Sequence, residues 1–168
     1  SCRNMKGTHR AGLRFRHFFN IVSKNNHYTC WVLKCDVRKF FASVNQTVLI
    51  KILKRHISNE NIIWLIERVL ESFSSGEKGI GLPLGNLTSQ LLVNIYMNEF
   101  DQWMKHSIKA KYYIRYADDF VILSRDKSYL KDLTAKISDF LNLELKLSLH
   151  PKKVFIKTFA SGVDFLGW

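Results

Sequence analysis

The residues best suited to chemistry are the aspartates of Tyr116-Ala117-Asp118-Asp119, which lie between the runs Tyr112-Tyr113-Ile114 and Phe120-Val121-Ile122-Leu123. Two aromatic and β-branched runs around a short acidic tip predict a β-hairpin with two adjacent carboxylates at its turn. Neighbouring aspartates repel, and keeping both ionised costs free energy unless something positive sits against them; a divalent cation is the natural partner. On their own they fit a solvated turn equally well, because aspartate is at home in turns. A third acid changes the weighing. Val32-Leu33-Lys34-Cys35-Asp36-Val37 reads as a second strand carrying Asp36 at its C-terminal end. If that strand pairs beside the hairpin, Asp36 and Asp118 face one another and can bridge two Mg²⁺ ions, which take carboxylate and phosphate oxygens. Two such ions about 3.5–4 Å apart stabilise the attacking and the leaving oxygen of an in-line phosphoryl displacement.

Several elements must position these acids. Residues 13–22 form a basic amphipathic segment that ends at the polar break Ser23-Lys24-Asn25-Asn26. Residues 45–56 carry a helical stripe at Val48, Leu49, Ile52 and Leu53, and residues 59–73 repeat it with Ile62, Ile63, Ile66, Val69 and Leu70. Both stripes are expected to be core. The stretch from Ser74 to Gly79 reads as a loop, and Gly79, Gly81 and Gly85 leave the backbone free to approach a nucleotide or template. Thr88 or Asn86 would cap a long helix through Leu91, Ile95 and Trp103, packed beneath the catalytic strands. Leu130, Leu133, Ile137, Phe140 and Leu141 mark another helix, and Val154-Phe155-Ile156 opens the last strands. This order, with its antiparallel hairpin, predicts an α+β fold of the split βαβ, ferredoxin-like type.

With 168 residues, 46% of them hydrophobic, the chain can bury one real core. Its 26 basic against 14 acidic residues, a formal net charge of +12, suit a polyanionic partner such as nucleic acid. Ribosomal and membrane-surface proteins share that charge, so the motifs decide. No run approaches the roughly 18 apolar residues of a membrane span, and no signal-like start is present. The expectation is a soluble, cytoplasmic protein with no membrane partner. Cys2, Cys30 and Cys35 are odd in number and form no CxxC pair, so neither a disulfide framework nor a zinc site is expected. The six histidines lack ligand spacing.

Five blocks, in order, resemble those of reverse transcriptases and span nearly the whole chain. Asp36-Val37-Arg38-Lys39-Phe40-Phe41 resembles the first catalytic block, and Gly81-Leu82-Pro83-Leu84-Gly85-Asn86-Leu87-Thr88-Ser89-Gln90 the template- and nucleotide-handling block. Tyr116-Ala117-Asp118-Asp119-Phe120 resembles the catalytic hairpin, Leu147-Ser148-Leu149-His150-Pro151-Lys152-Lys153 the block after it, and Gly162-Val163-Asp164-Phe165-Leu166-Gly167-Trp168 the primer grip. The resemblance implies a polymerase palm that adds deoxynucleotides to a primer 3′-hydroxyl on an RNA template. Asp36 and Asp118 would hold two Mg²⁺ ions, with Mn²⁺ able to substitute; the Val37 carbonyl would be a further ligand, and Asp119 would assist at the hydroxyl-activating metal. Arg38, Lys39, Phe40, Phe41, Leu84 and Gly85 would line the nucleotide. Phe41 stands at the family's steric-gate position, where a phenyl ring would collide with a ribose 2′-hydroxyl; the alternative for it is core packing, a role that fits Phe40 better. Lys152 or Lys153 would protonate the leaving pyrophosphate, and Phe165, Leu166 and Gly167 would grip the primer.

The run from Leu84 to Gln90 is most similar to reverse transcriptases of diversity-generating retroelements, where retroviral and group II intron enzymes carry Pro-Gln-Gly. A glutamine offers a donor and an acceptor beside the nucleotide, whereas Leu84 offers apolar surface. The implication is relaxed base selection opposite template adenine, against the alternative that Leu84 only packs. Ser1-Cys2-Arg3-Asn4-Met5-Lys6-Gly7-Thr8-His9-Arg10-Ala11 resembles a fingers segment that would set Arg3 and Lys6 on the triphosphate; solvated surface charge is the alternative. One unit is expected, with fingers at about 1–28 and 45–84, palm at about 29–44 and 85–168, earlier fingers blocks missing and the thumb absent. Partners implied are a template RNA, a cDNA primer or product, deoxynucleoside triphosphates and an oligomeric basic accessory protein, in a bacterial, archaeal or phage setting. The alternatives are a group II intron, retron or defence-type reverse transcriptase, and a catalytically silent RNA-binding scaffold.

Overall fold

The structure, a computed structural model, describes residues 7–72, 77–83 and 87–167. Four strands form one antiparallel sheet: β1 (Trp31–Asp36), β2 (Tyr113–Tyr116), β3 (Asp119–Ser124) and β4 (Phe155–Thr158), in the order β2-β3-β1-β4. Alternation along β1 sends Trp31, Leu33 and Cys35 to one face and Val32, Lys34 and Asp36 to the other. β3 matches it, with Phe120 and Ile122 on the first face and Asp119, Val121 and Leu123 on the second.

The first face is covered by α5 (Leu87–Gln102), which ends in a π-helical turn at Trp103–Ser107, and by α6 (Lys127–Leu145). Asp126 caps α6, its carboxylate accepting from the Ser128 and Tyr129 amides. The opposite face is covered by α1 (Thr8–Ser23), whose Phe15, Phe18 and Val22 pack with Val32, Ile114, Val121, Leu123, Val163 and Phe165. Helices α2 (Phe40–Ser43), α3 (Gln46–Lys54) and α4 (Glu60–Glu71) extend the first core beyond the sheet. The result is the expected α+β, split βαβ arrangement: two helical layers enclosing one sheet.

The hairpin, α3, α6 and the final strand stand where the sequence pattern puts them. Two apolar stripes do not. Along α4 only Ile63 and Leu70 are buried, while Ile62, Trp64, Leu65 and Val69 are exposed, because this helix packs on α3 along one narrow line. On α5 the inward residues are Leu92, Val93, Tyr96, Met97 and Phe100 rather than Leu91, which is exposed; Thr88 lies within the helix. Residues 40–43 form a short helical turn after β1. None of the described helices is long and apolar enough to cross a membrane.

Phe120 is fully buried and its ring meets those of Phe100 and Tyr113, at 5.0 and 6.3 Å between centroids. Phe120→Ala is expected to cost about 3–5 kcal/mol in chemical denaturation, whereas Leu143→Ala, at a residue 68% exposed, should stay within about 0.5 kcal/mol.

Candidate active site

Tyr116 pairs with Asp119, so the hairpin closes through a two-residue turn, Ala117-Asp118. Such turns need a left-handed first residue, and Ala117 has φ 54. β3 therefore begins at Asp119, and its antiparallel register sets Asp119 directly opposite Asp36. This refines the sequence reading, in which Asp36 faced Asp118; Asp118 occupies the turn itself. The 147–153 block lies against the 36–41 block: His150 N–H donates to the Asp36 carbonyl at 2.8 Å, Arg38 N–H donates to the Ser148 carbonyl at 2.9 Å, and Val37 bridges Leu149.

Two lysines meet the acids. Lys34 Nζ stands 3.3 Å from Asp119 Oδ2, and Lys153 Nζ 3.1 Å from Asp36 Oδ2. Of the two candidate proton donors, Lys153 is thus the one that reaches one of the three aspartates; hydrogen bonding to Asp36 and its charge raise the Lys153 pKa and keep it protonated. Lys152 is exposed. Burial raises the pKa of Asp118, with Asp36 adding to it, and burial likewise raises that of Asp119, with Asp36 and Asp118 adding to it despite Lys34. Asp119 Oδ1 is buried and has no hydrogen-bond partner. No three His, Cys, Asp or Glu side chains among the described residues form a preassembled metal cluster. The donor chemistry still fits a hard divalent cation: hard oxygens, mutually repelling carboxylates, and one buried oxygen left to be satisfied.

A third feature carries no motif. Arg115 on β2 makes a two-pronged contact with Asp101 of α5, Nε to Oδ1 at 2.9 Å and Nη2 to Oδ2 at 2.7 Å, while Nη1 donates to the Ala117 carbonyl at 2.8 Å. The Tyr113 hydroxyl adds a bond to Asp101 at 2.7 Å. The Asp101 pKa is lowered because Arg115 and Tyr113 overcome the upward pull of burial. The clamp fixes the turn that carries Asp118 to the helix beneath the sheet. Its available signal in the sequence is a charge on each of two core-facing positions.

Among the residues expected to line a nucleotide, Arg38 and Lys39 are exposed, with Lys39 left-handed at φ 44. Phe40 is buried in the core and Phe41 is half-buried, the two rings edge-on at 5.6 Å. Leu82 N–H donates to the Phe41 carbonyl and Gly81 N–H to the Val44 carbonyl, each at 2.8 Å. Gln46, which no motif marks, donates from its side chain to the Leu70 and Gly81 carbonyls at 3.3 and 3.0 Å. The start of the second block is thereby laid along residues 41–46. Arg3, Lys6, Leu84 and Gly85 lie outside the described residues. In the last block Phe165 is buried against Phe15 at 5.4 Å, Leu166 is half-buried at φ 59, and Gly167, exposed, donates to Asp164 Oδ1 at 2.9 Å.

Residues 2–168 match the model of the family described as reverse transcriptase (RNA-dependent DNA polymerase), and the chain belongs to that family. It is 30% identical over 135 residues to a putative COX1/OXI3 intron 1 protein of Saccharomyces cerevisiae, covering 77% of this chain and 15% of that one. It is 27% identical over 176 residues to protein YkfC of Escherichia coli, covering 82% and 46%. The chain therefore spans less than half the length of these relatives. Apo telomerase from Candida tropicalis shares the fold, with a TM-score of 0.72 at 17% identity, over 96% of this chain and 34% of that one. The four-stranded sheet with its acidic hairpin has the polymerase palm fold.

Because its folded-state pKa is raised, ionised Asp118 opposes folding at neutral pH, and that opposition disappears below the ordinary carboxylate range. Asp118→Asn should accordingly raise the melting temperature of metal-free protein at pH 7, with the gain vanishing on acidification; a lower melting temperature at pH 7 would contradict this origin. Arg115→Ala leaves half-buried Asp101 with the Tyr113 hydroxyl but no guanidinium and should cost about 3 kcal/mol, the low end for a buried pair. The double variant Arg115→Met, Asp101→Leu should cost less than Arg115→Ala in the same denaturation assay.

Proposed function

We propose that this chain carries the catalytic palm of an RNA-directed DNA polymerase that extends a primer 3′-hydroxyl by two-metal nucleotidyl transfer. The observation that carries the reading is Asp36 opposite Asp119 beside the Asp118 turn, with Asp119 Oδ1 buried and unpartnered. Asp36, Asp118 and the Val37 carbonyl would hold two Mg²⁺ ions, or Mn²⁺ in their place, with Asp119 assisting. Bound there, the ions would stabilise the charge developing on the attacking and leaving oxygens. The chain's own groups do the rest. Lys153, kept protonated by Asp36, holds a proton for the leaving pyrophosphate. Phe41, half-buried beside Leu82, excludes a 2′-hydroxyl, and Arg38 and Lys39 bind the triphosphate, a role the sequence also suggests for Arg3 and Lys6. Phe165 pegs the primer grip while Leu166 and Gly167 present it. Residues of about 1–28 and 45–84 act as fingers, and about 29–44 and 85–168 as palm.

For the subclass, the run from Leu84 to Gln90 supports a diversity-generating retroelement enzyme that copies a template RNA with errors at adenine, alongside a basic accessory oligomer, in a bacterial, archaeal or phage-encoded cytoplasmic setting. A second reading, an intron-type enzyme, is favoured by the similarity to a protein named for a COX1/OXI3 intron. A silent RNA-binding scaffold has no need of three clustered acids whose repulsion costs stability.

Primer extension on a defined RNA template with Mg²⁺, followed by sequencing opposite template adenine, separates these. Wild type should extend. Asp118→Asn should lose about a thousandfold in rate, because an ion held at that carboxylate supplies several kcal/mol of charge stabilisation. Scattered bases opposite adenine support the diversity-generating reading and accurate copying the intron-type one. No extension by the full-length protein with its accessory protein would leave the scaffold.

A further inference from the structure

Lys34 precedes Asp36 by two residues on β1, so the strand's alternation sets both side chains on the same face of the sheet. Its ammonium does two things at once. It pairs with Asp119 Oδ2 at 3.3 Å, and it donates to the backbone carbonyl of Asp164 at 2.8 Å. One amine thereby joins the catalytic hairpin to the segment 163–167, which is 130 residues further along the chain at its point of contact. The Lys34 side chain is only 17% exposed and that of Asp119 19%, so this pair is far less screened than a surface ion pair.

The segment it reaches has little regular structure to hold it. Val163 and Phe165 are buried beneath α1, Asp164 and Gly167 are exposed, and Leu166 and Gly167 take left-handed backbone at φ 59 and 83. Two apolar side chains fix its depth. A direction along the sheet surface requires a polar tie, and the Lys34 bond to the Asp164 carbonyl supplies one. At its other end the same amine engages Oδ2 of Asp119, which sets the rotation of that carboxylate and leaves Oδ1 as the buried oxygen without a partner.

We propose that Lys34 is a positioning residue that couples the primer-grip segment to the catalytic carboxylates, so that a primer end held by residues 165–167 is placed in register with Asp36, Asp118 and Asp119. This rests on the polymerase reading above. A lysine that only neutralised the acids would act on every polyanion entering the site. A coupling lysine acts on the primer.

The test uses the full-length protein and its Lys34→Met and Lys34→Arg variants. Fluorescence anisotropy without nucleotide measures binding of an RNA template annealed to a DNA primer, and of the same template alone; steady-state extension then gives kcat and the KM for deoxynucleotide at saturating primer–template. Lys34→Met should weaken primer–template binding about tenfold, the scale of one lost charge-assisted hydrogen bond. Binding of template alone and the KM for nucleotide should stay within about twofold, and Lys34→Arg should recover most of the loss. Equal weakening for template alone, a nucleotide KM that rises as much as the primer–template dissociation constant, or unchanged primer–template binding would each overturn the coupling role. A wild type that binds primer–template without extending it would instead refute the polymerase reading, while the binding comparison still decides the role of Lys34.

Discussion

The pairing of β1 with β3 places Asp36 across from Asp119 on neighbouring strands, and like charges in that position repel. Lys34 and Lys153 offset part of that repulsion. The register is imposed from the other face of the same strands, where Leu33 and Cys35 of β1 and Phe120 and Ile122 of β3 are buried under α5 and α6. A slip of one residue would send that apolar set to the wrong side of the sheet, so the hydrophobic core holds the acids together against their repulsion. Burial and mutual charge raise the pKa of Asp118 and Asp119 as a result. The site stores a cost that a divalent cation would relieve.

Two different cationic devices surround this repulsion. Lys34 and Lys153 approach the carboxylates themselves, each through one oxygen, and Lys153 is largely exposed. Arg115 works from the buried face and never touches the three acids in the hydrogen bonds it makes. It spends its planar fork on Asp101 and its remaining donor on the Ala117 carbonyl. The division follows from the chemistry of the two side chains. A guanidinium suits a fixed two-pronged contact in the interior, whereas a lysine's flexible stem lets its point charge move aside. A left-handed alanine in a tight turn is under strain, and the clamp helps hold it.

Much of the molecule was legible in the sequence because it depends on short-range pattern. Alternating runs located the hairpin and β1, apolar stripes located α3 and α6, and the aspartate positions followed from those elements. The reading failed where an apolar residue has more than one use. Leu91 and, on α4, Ile62 and Val69 are exposed, because a helical stripe says which residues share a side and not whether another element covers it. It also had no means of finding Arg115 with Asp101 or Gln46 with Gly81, whose partners lie 14 and 35 residues away.

What the sequence determined by itself is therefore the set of elements and the acids each one carries, since strand and helix periodicity and turn chemistry act over a few residues. Tertiary structure alone decided that Asp119, not Asp118, stands opposite Asp36, that Lys153 rather than Lys152 reaches a carboxylate, and that Lys34 joins the hairpin to the 163–167 segment. These are distances of a few ångströms between residues remote in the chain, and they are set by strand register and core packing, which no local pattern encodes.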